Sequence, residues 1–180
     1  MKFFPVIETE RLVLREPKPE DLQSVYAIHS DSEVMRYYGV LPYDSIEKAE
    51  KHLNWLSSLF KENTGLRPVI TPKDEDVYIG DVGFYDFESK HNRAEIGYIL
   101  GKDYWGKGIM TEALGAVLGY GFIEMNLNRV QALIDPRNTA SKNVVQKNGF
   151  SYEGTFREYE YENGAYIDLD MYSLLRREFR

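Results

Sequence analysis

Cysteine is absent from the 180-residue sequence, which excludes a disulfide framework, a thiolate zinc site and a cysteine nucleophile together. No apolar run approaches the ~20 residues that a membrane-spanning helix needs. The start, Met1-Lys2-Phe3-Phe4-Pro5, lacks the apolar core of a secretory leader, because Glu8, Glu10, Arg11 and Arg15 follow at once. These absences point to a cytoplasmic protein. Histidine is scarce: His29, His52 and His91 stand far apart without metal-like spacing, so they read as structural and no metal is expected. Positive charge is in deficit as well. With 22 basic against 29 acidic residues the net charge is −7, which repels a polyanion and argues against nucleic acid as a partner. The one dense basic group, Arg176, Arg177 and Arg180, reads as a solvated tail. Repeats, Pro-rich linkers and composition breaks are missing too, so residues 1–180 read as a single domain.

What is present is an ordinary globular balance, 43% hydrophobic and 28% charged. Arg11 to Arg15 alternates polar and apolar and predicts a strand stopped by Pro17 and Pro19. Pro19-Glu20-Asp21 opens a short helix with Leu22, Val25, Tyr26 and His29 on its buried stripe. Ile46, Ala49, Leu53, Leu56 and Phe60 predict a second helix, ended at Asn63-Thr64-Gly65. Strands are predicted at Leu66–Thr71, Val77–Tyr85 and Arg93–Leu100. Pro68 removes one ladder donor, so the first of these is expected to pair weakly there or to lie at an edge. A helix over Gly108–Glu124 follows, whose Gly115, Gly119 and Gly121 imply close approach to a sheet. Arg129–Ile134 predicts a buried strand, Thr139–Asn148 a helix, and Phe150–Tyr161 with Ala165–Leu174 a hairpin turning at Glu162-Asn163-Gly164. In its last strand, Ala165, Ile167, Leu169 and Met171 share one face, while Tyr166, Asp168, Asp170 and Tyr172 share the other. The class is α+β (mixed α/β) rather than a regular βαβ alternation.

Residues 94–113 carry the chemistry. A strand runs into a glycine-containing loop that opens directly onto a helix. Gly106 and Gly108, flanking Lys107, let backbone amides converge where the helix adds its own unsatisfied donors, the physical recipe for an anion site. Gly101 to Gly108 falls one residue short of a nucleotide-hydrolase phosphate loop, since the Ser/Thr that would hold magnesium is missing. The dinucleotide fingerprint fails as well, because Thr111 stands where its third glycine belongs.

A second segment, Asp135 to Phe150, closes the next strand and forms the next helix. Together the two segments resemble the GNAT superfamily of acetyl-CoA-dependent N-acetyltransferases, in particular its RimJ/RimL-like branch. The words that carry the resemblance are Glu-Thr-Glu-Arg-Leu-Val-Leu-Arg at 8–15, Glu-Ile-Gly-Tyr at 95–98, Tyr-Trp-Gly-Lys-Gly at 104–108 and Thr-Glu-Ala at 111–113. Asn138 to Ser141 and Lys147-Asn148-Gly149-Phe150 complete the series, in the family's order.

The resemblance implies a twisted, mostly antiparallel sheet of about seven strands with four helices. Two central strands, Arg93–Leu100 and Arg129–Ile134, would splay to admit the pantetheine arm. It places the cofactor on Ile99, Leu100, Trp105, Gly106, Lys107, Gly108, Ile109, Met110, Thr111, Asn138 and Ser141. Met110, where a small residue is usual, either narrows the pyrophosphate entrance or points into the core. A tyrosine acid common in the superfamily is replaced by Val145, leaving Ser141 as the nearest donor to the leaving thiolate; alternatively Ser141 is an ordinary helix-side hydroxyl. Glu95 is either the general base or a surface charge paired with Arg93. Main-chain N–H groups near Ile99 would hold the oxyanion. Tyr37 and Tyr38 either line the acceptor pocket or cover the core edge. The implied reaction moves acetyl from acetyl-CoA to a primary amine, most typically a protein or peptide N-terminus such as that of a ribosomal protein. Small amines, amino acids and a non-catalytic acyl-CoA sensor stay open, as does a homodimer.

Overall fold

The computed structural model describes residues 4–180; Met1 to Phe3, part of the start read above as non-secretory, lie outside the described residues. The chain opens with β1 (Ile7–Glu8) and β2 (Leu12–Arg15), followed by α1 (Leu22–His29) and α2 (Ile46–Lys61). Next come β3 (Val69–Pro72), β4 (Gly80–Glu88) and β5 (Arg93–Leu100), then α3 (Ile109–Ile123), β6 (Arg129–Ile134) and α4 (Thr139–Lys147). A hairpin of β7 (Ser151–Glu162) and β8 (Ala165–Leu175) closes the chain. One sheet takes all eight strands in the order β1-β2-β3-β4-β5-β6-β8-β7. It is antiparallel except where β5 meets β6. The expected seven strands become eight because Ile7–Glu8 folds back on β2.

Apolar spacing explains the layers. α2 buries Ala49, Leu53, Leu56 and Leu59 at helical intervals, and with Val25 of α1 it packs on Val69 and Tyr78. α3 is apolar nearly all round, since its buried residues include Ile109, Met110, Ala113, Leu114, Val117, Leu118 and Phe122. It joins the main core with Leu12, Leu14, Phe84, Ile96, Val130 and Val145. Among the described residues no helix is long and apolar enough to cross a membrane.

Three expectations need correction. The strand predicted from Leu66 begins at Val69, leaving an isolated Leu66–Phe84 bridge: the pairing is weak at Pro68 as expected, but the strand lies between β2 and β4 and not at an edge. Pro68 causes the delay: its carbonyl accepts from Val82 N at 3.2 Å, but it has no N–H to return. Of the three helix glycines, only Gly121 meets the sheet, where a Cβ would fall 2.4 Å from the Phe84 ring; Gly115 faces Asn148 and Gly119 faces Phe179. The two-faced pattern of β8 ends at Leu169, and Leu169 to Leu174 are all buried because β8 lies inside the sheet.

The feature that positions everything below is the β5–β6 junction. Parallel pairing covers only Arg93↔Arg129, Ala94↔Val130 and Glu95↔Gln131. Both strands then continue without each other, to Leu100 and Ile134, and a cleft opens between them.

Candidate active site

The cleft is a cavity of about 740 Å³ walled by Ile96 to Leu100, Ala132 to Asp135, the loop before α3 and the start of α4. Gly101 N donates to Ile79 O, so the odd-numbered residues of β5 turn their backbone groups toward β4. By the same alternation the amides and carbonyls of Ile96, Tyr98 and Leu100 face the cleft. Ile99, expected to present its main chain there, points its amide to β4 instead. Leu100 O already accepts from Trp105 Nε1 at 2.7 Å, which pins the indole across the cleft mouth.

At that mouth Gly106 and Gly108 adopt φ of +72° and +74°, left-handed values that a side chain disfavours. The amides of Gly106, Lys107 and Gly108 find no acceptor among the described residues. The first helical bond of α3 runs from Glu112 N to Gly108 O at 3.1 Å, so the amides of Ile109, Met110 and Thr111 are unsatisfied donors at a helix start. The loop is braced from behind. Glu112 accepts from Thr9 Oγ1 at 2.6 Å and from Arg11 Nε at 2.6 Å, and Arg11 Nη1 donates to Lys107 O at 2.9 Å. The N-terminal Thr-Glu-Arg word and the Thr-Glu-Ala word are therefore two halves of one brace.

The inner end of the cleft carries ionisable groups from both faces of the sheet. On the face of α3 and α4, Tyr98 Oη lies 2.6 Å from Ser141 Oγ and 3.1 Å from Ser141 O. Ser141 is held by its amide, which donates to Asn138 Oδ1 at 3.0 Å. Burial pushes the Tyr98 hydroxyl above its ordinary range, keeping it protonated. On the face of α1 and α2, Glu95 accepts from Tyr85 Oη at 2.6 Å and more distantly from Gln131 Nε2 at 3.5 Å. Burial raises the Glu95 carboxyl above its usual value, and the Tyr85 and Gln131 hydrogen bonds offset part of the rise.

Beside Glu95 lies a buried network that sequence spacing did not show. Asp81 is fully buried and accepts from Arg67 Nε at 2.6 Å, Tyr78 Oη at 2.5 Å and His52 Nε2 at 3.1 Å. Burial works against its charge, yet Arg67 and His52 hold its carboxyl well below the carboxylate range. His29 lies against His52 with ring centroids 4.4 Å apart and the planes tilted by 52°, and its Nδ1 meets Val25 O at 2.9 Å. Its Nε2 is buried with no partner. His29, His52 and Asp81 thus lie within 4.8 Å of one another, although the sequence separates them widely. His91 stays apart, in the turn between β4 and β5.

The cavity walls include Tyr37, Tyr38, Ile99, Leu100, Trp105, Gly106, Gly108, Ile109, Met110, Thr111, Asn138 and Ser141. Met110 is buried in the main core, so its bulk stays out of the loop. Two expected site residues do not reach the walls. Lys107 lies over the Tyr104 ring at 5.8 Å, and its carbonyl serves Arg11. Glu95 sits at the last β5–β6 rung, screened by the Tyr85 ring, and reaches the cavity only through that hydroxyl. Nor does Glu95 pair with Arg93, whose partner is Glu88. Val145 is buried, but the cleft does not lack a phenol: Tyr98 brings one from the strand to Ser141 Oγ. The signal for Arg67 and Asp81 was a charge inside an apolar run.

A mixed sheet split between parallel strands, with free amides at the start of the following helix, makes a cleft whose mouth suits an anion. Residues 11–151 match the acetyltransferase (GNAT) domain, and the chain belongs to that family of N-acetyltransferases. It is 38% identical over 173 residues to the uncharacterized N-acetyltransferase YoaA of Bacillus subtilis, covering 96% of this chain and 98% of that one. The crystal structure of a GNAT-family acetyltransferase from Bacillus anthracis superposes with a TM-score of 0.87 at 29% identity, over 97% of this chain and all of that one. Mycobacterium smegmatis RimJ, solved with CoA-disulfide, shares the fold at a TM-score of 0.87 and 21% identity, over 98% and 90% of the two chains.

Proposed function

We propose that this chain transfers the acetyl group of acetyl-CoA to the free α-amine of a protein or peptide, ribosomal proteins among the acceptors, in a ternary complex in the cytoplasm. The observation that carries the reading is the cleft itself: unsatisfied amides at Gly106 and at residues 108–111 line its mouth, and proton-carrying groups flank its inner end from opposite faces. The diphosphate would rest on the mouth amides, and the extended arm would lie along the cleft-facing backbone of Tyr98 and Leu100.

The neutral amine attacks the thioester carbonyl from the α1/α2 face. Its proton passes to Tyr85 Oη as Tyr85 hands its own to Glu95, whose raised affinity for a proton suits a base. As the C–S bond breaks, the sulfur takes the Ser141 proton, which Tyr98 replaces across 2.6 Å. The oxyanion would be met by a cleft-facing amide of Tyr98 or Leu100.

The test has two arms. The protein with acetyl-CoA and a peptide bearing a free α-amine releases CoASH, whereas the same peptide N-acetylated beforehand gives none. Gly106→Asp then sets a carboxylate against the diphosphate at a position with no neighbour within 4 Å to neutralise it. Calorimetry should show CoA affinity falling at least tenfold; unchanged affinity would overturn the loop assignment. Gly108 is a poorer probe, because a Cβ there lies 3.5 Å from Arg11 Nη2, a ready counter-charge.

A further inference from the structure

The Arg67 side chain is 4% exposed, yet part of its guanidinium has nothing to bond to. Of its five N–H donors, Nε serves Asp81 and one Nη2 hydrogen serves Tyr38 Oη at 2.8 Å. The other three find no acceptor among the described residues, and Arg67 lines the cavity. Its position is fixed on every other side. Asp81 is held in turn by Tyr78 and His52, and the guanidinium carbon stands 5.3 Å from the Trp55 ring. Nη1 lies over Gly97, where a Cβ would come within 2.8 Å of it and within 2.8 Å of the Tyr85 ring. The missing side chain at 97 therefore makes the slot through which the guanidinium and Tyr85 meet, next to the hydrogen bond that the Tyr85 hydroxyl donates to Glu95.

A rigid, buried guanidinium with spare donors is suited to a planar oxygen acceptor, a carboxylate or a carbonyl. It is badly suited to a second ammonium group. An amine poised at Tyr85 Oη and an oxygen poised at Arg67 Nη1 are neighbours on one face of β5, as the amine and acyl oxygen are neighbours in an α-aminoacyl group. We infer that Arg67 is an acceptor-binding residue which holds the acyl oxygen next to the reacting amine, so that the site selects α-aminoacyl acceptors over plain alkylamines and polyamines. The inference rests on the transferase reading above and specifies its acceptor. The oxygen can come from the carboxylate of a free amino acid or from the first carbonyl of a peptide.

The experiment measures binding and turnover separately on the full chain. With CoA bound, calorimetry compares L-alanine, an alanyl peptide, isopropylamine and spermidine against wild type and Arg67→Lys. The lysine keeps a positive charge near Asp81 but loses the fork, and urea unfolding with CoA titration verifies that the variant is folded. Wild type should bind alanine or the peptide at least tenfold more tightly than either oxygen-free amine, and Arg67→Lys should reduce that ratio at least tenfold. A preference for the peptide identifies the carbonyl as the ligand; a preference for alanine identifies the carboxylate. Equal binding of all four by wild type, or a preference that survives Arg67→Lys, overturns the inference. Release of CoASH with the same acceptors tests the transferase reading: release without the preference sinks only the inference, and preference without release sinks only the transferase reading.

Discussion

Lowering the pH should loosen this fold through His29, starting above the ordinary carboxylate range. The ring is fully buried between Tyr38, Tyr43 and His52. Its Nδ1 faces the Val25 carbonyl, which makes Nδ1 the protonated nitrogen and leaves Nε2 bare, with no acceptor or donor against it. A second proton would have to sit there, beside His52 and within the field of Arg67. Burial first, then His52, lowers the pKa from 6.5 to about 4, while Asp81 pulls the other way. The unfolded chain therefore binds the proton first as pH falls. The stability linked to His29 is whole above pH 6.5 and drains away toward pH 4, with about 2 kcal/mol gone by pH 5. The measurement is urea unfolding at several pH values between 7 and 5 for wild type and for His29→Phe, which keeps the ring stack and has no nitrogen to protonate. The other titrating groups act in both proteins, so the difference in slope isolates His29. Equal slopes, or an NMR titration of the His29 ring near pH 6.5, would refute the reasoning.

Two further outcomes concern turnover. Glu95→Gln removes the proton sink behind Tyr85, so kcat should fall about 10²–10³-fold. In wild type the acidic limb of the rate profile should rise through a pKa above the ordinary glutamate value, and Glu95→Gln should erase that limb; an unaltered profile removes Glu95 from the mechanism. Tyr98→Phe deletes one hydroxyl behind Ser141 and should lower kcat by about tenfold or more with little change in KM. If instead only Ser141→Ala slows the reaction, the phenol has no part in protonating the thiolate.

Local signals and long-range ones were unequally legible. The loop before α3 was the most legible part, because glycines at the junction of a strand and a helix leave backbone amides without intrahelical partners, and Gly106 and Gly108 do take positive φ. Ser141 and Asn138 were singled out only by the family resemblance, not by a local pattern. Tyr98 was seen but given no role, since only the sheet places it under Ser141, 43 residues away. The Arg67–Asp81–His52–His29 group is harder still: its members come from α1, α2, β4 and the stretch before β3, and only strand pairing together with the packing of both helices on the sheet assembles them. A physical hint did exist. Arg67 in Leu-Arg-Pro-Val-Ile and Asp81 in Ile-Gly-Asp-Val are charges in runs otherwise fit for a core, and buried charges need partners. Glu95 shows the opposite limit: the strand pattern marks it as a candidate base, but only the structure shows the Tyr85 hydroxyl bonded in front of it.

The three rungs joining β5 to β6 also decide what shape of molecule the enzyme can accept as donor. Adjacent strands sit ~4.8 Å apart, so a gap opened by letting two of them diverge begins at one chain's width and widens gradually. A thread carrying its own amides can lie in such a seam and borrow backbone partners from the strand beside it. A compact metabolite of the same mass would stop at the rim. The reactive end is thus sorted by the slenderness of its handle before any of the proton-moving groups is consulted.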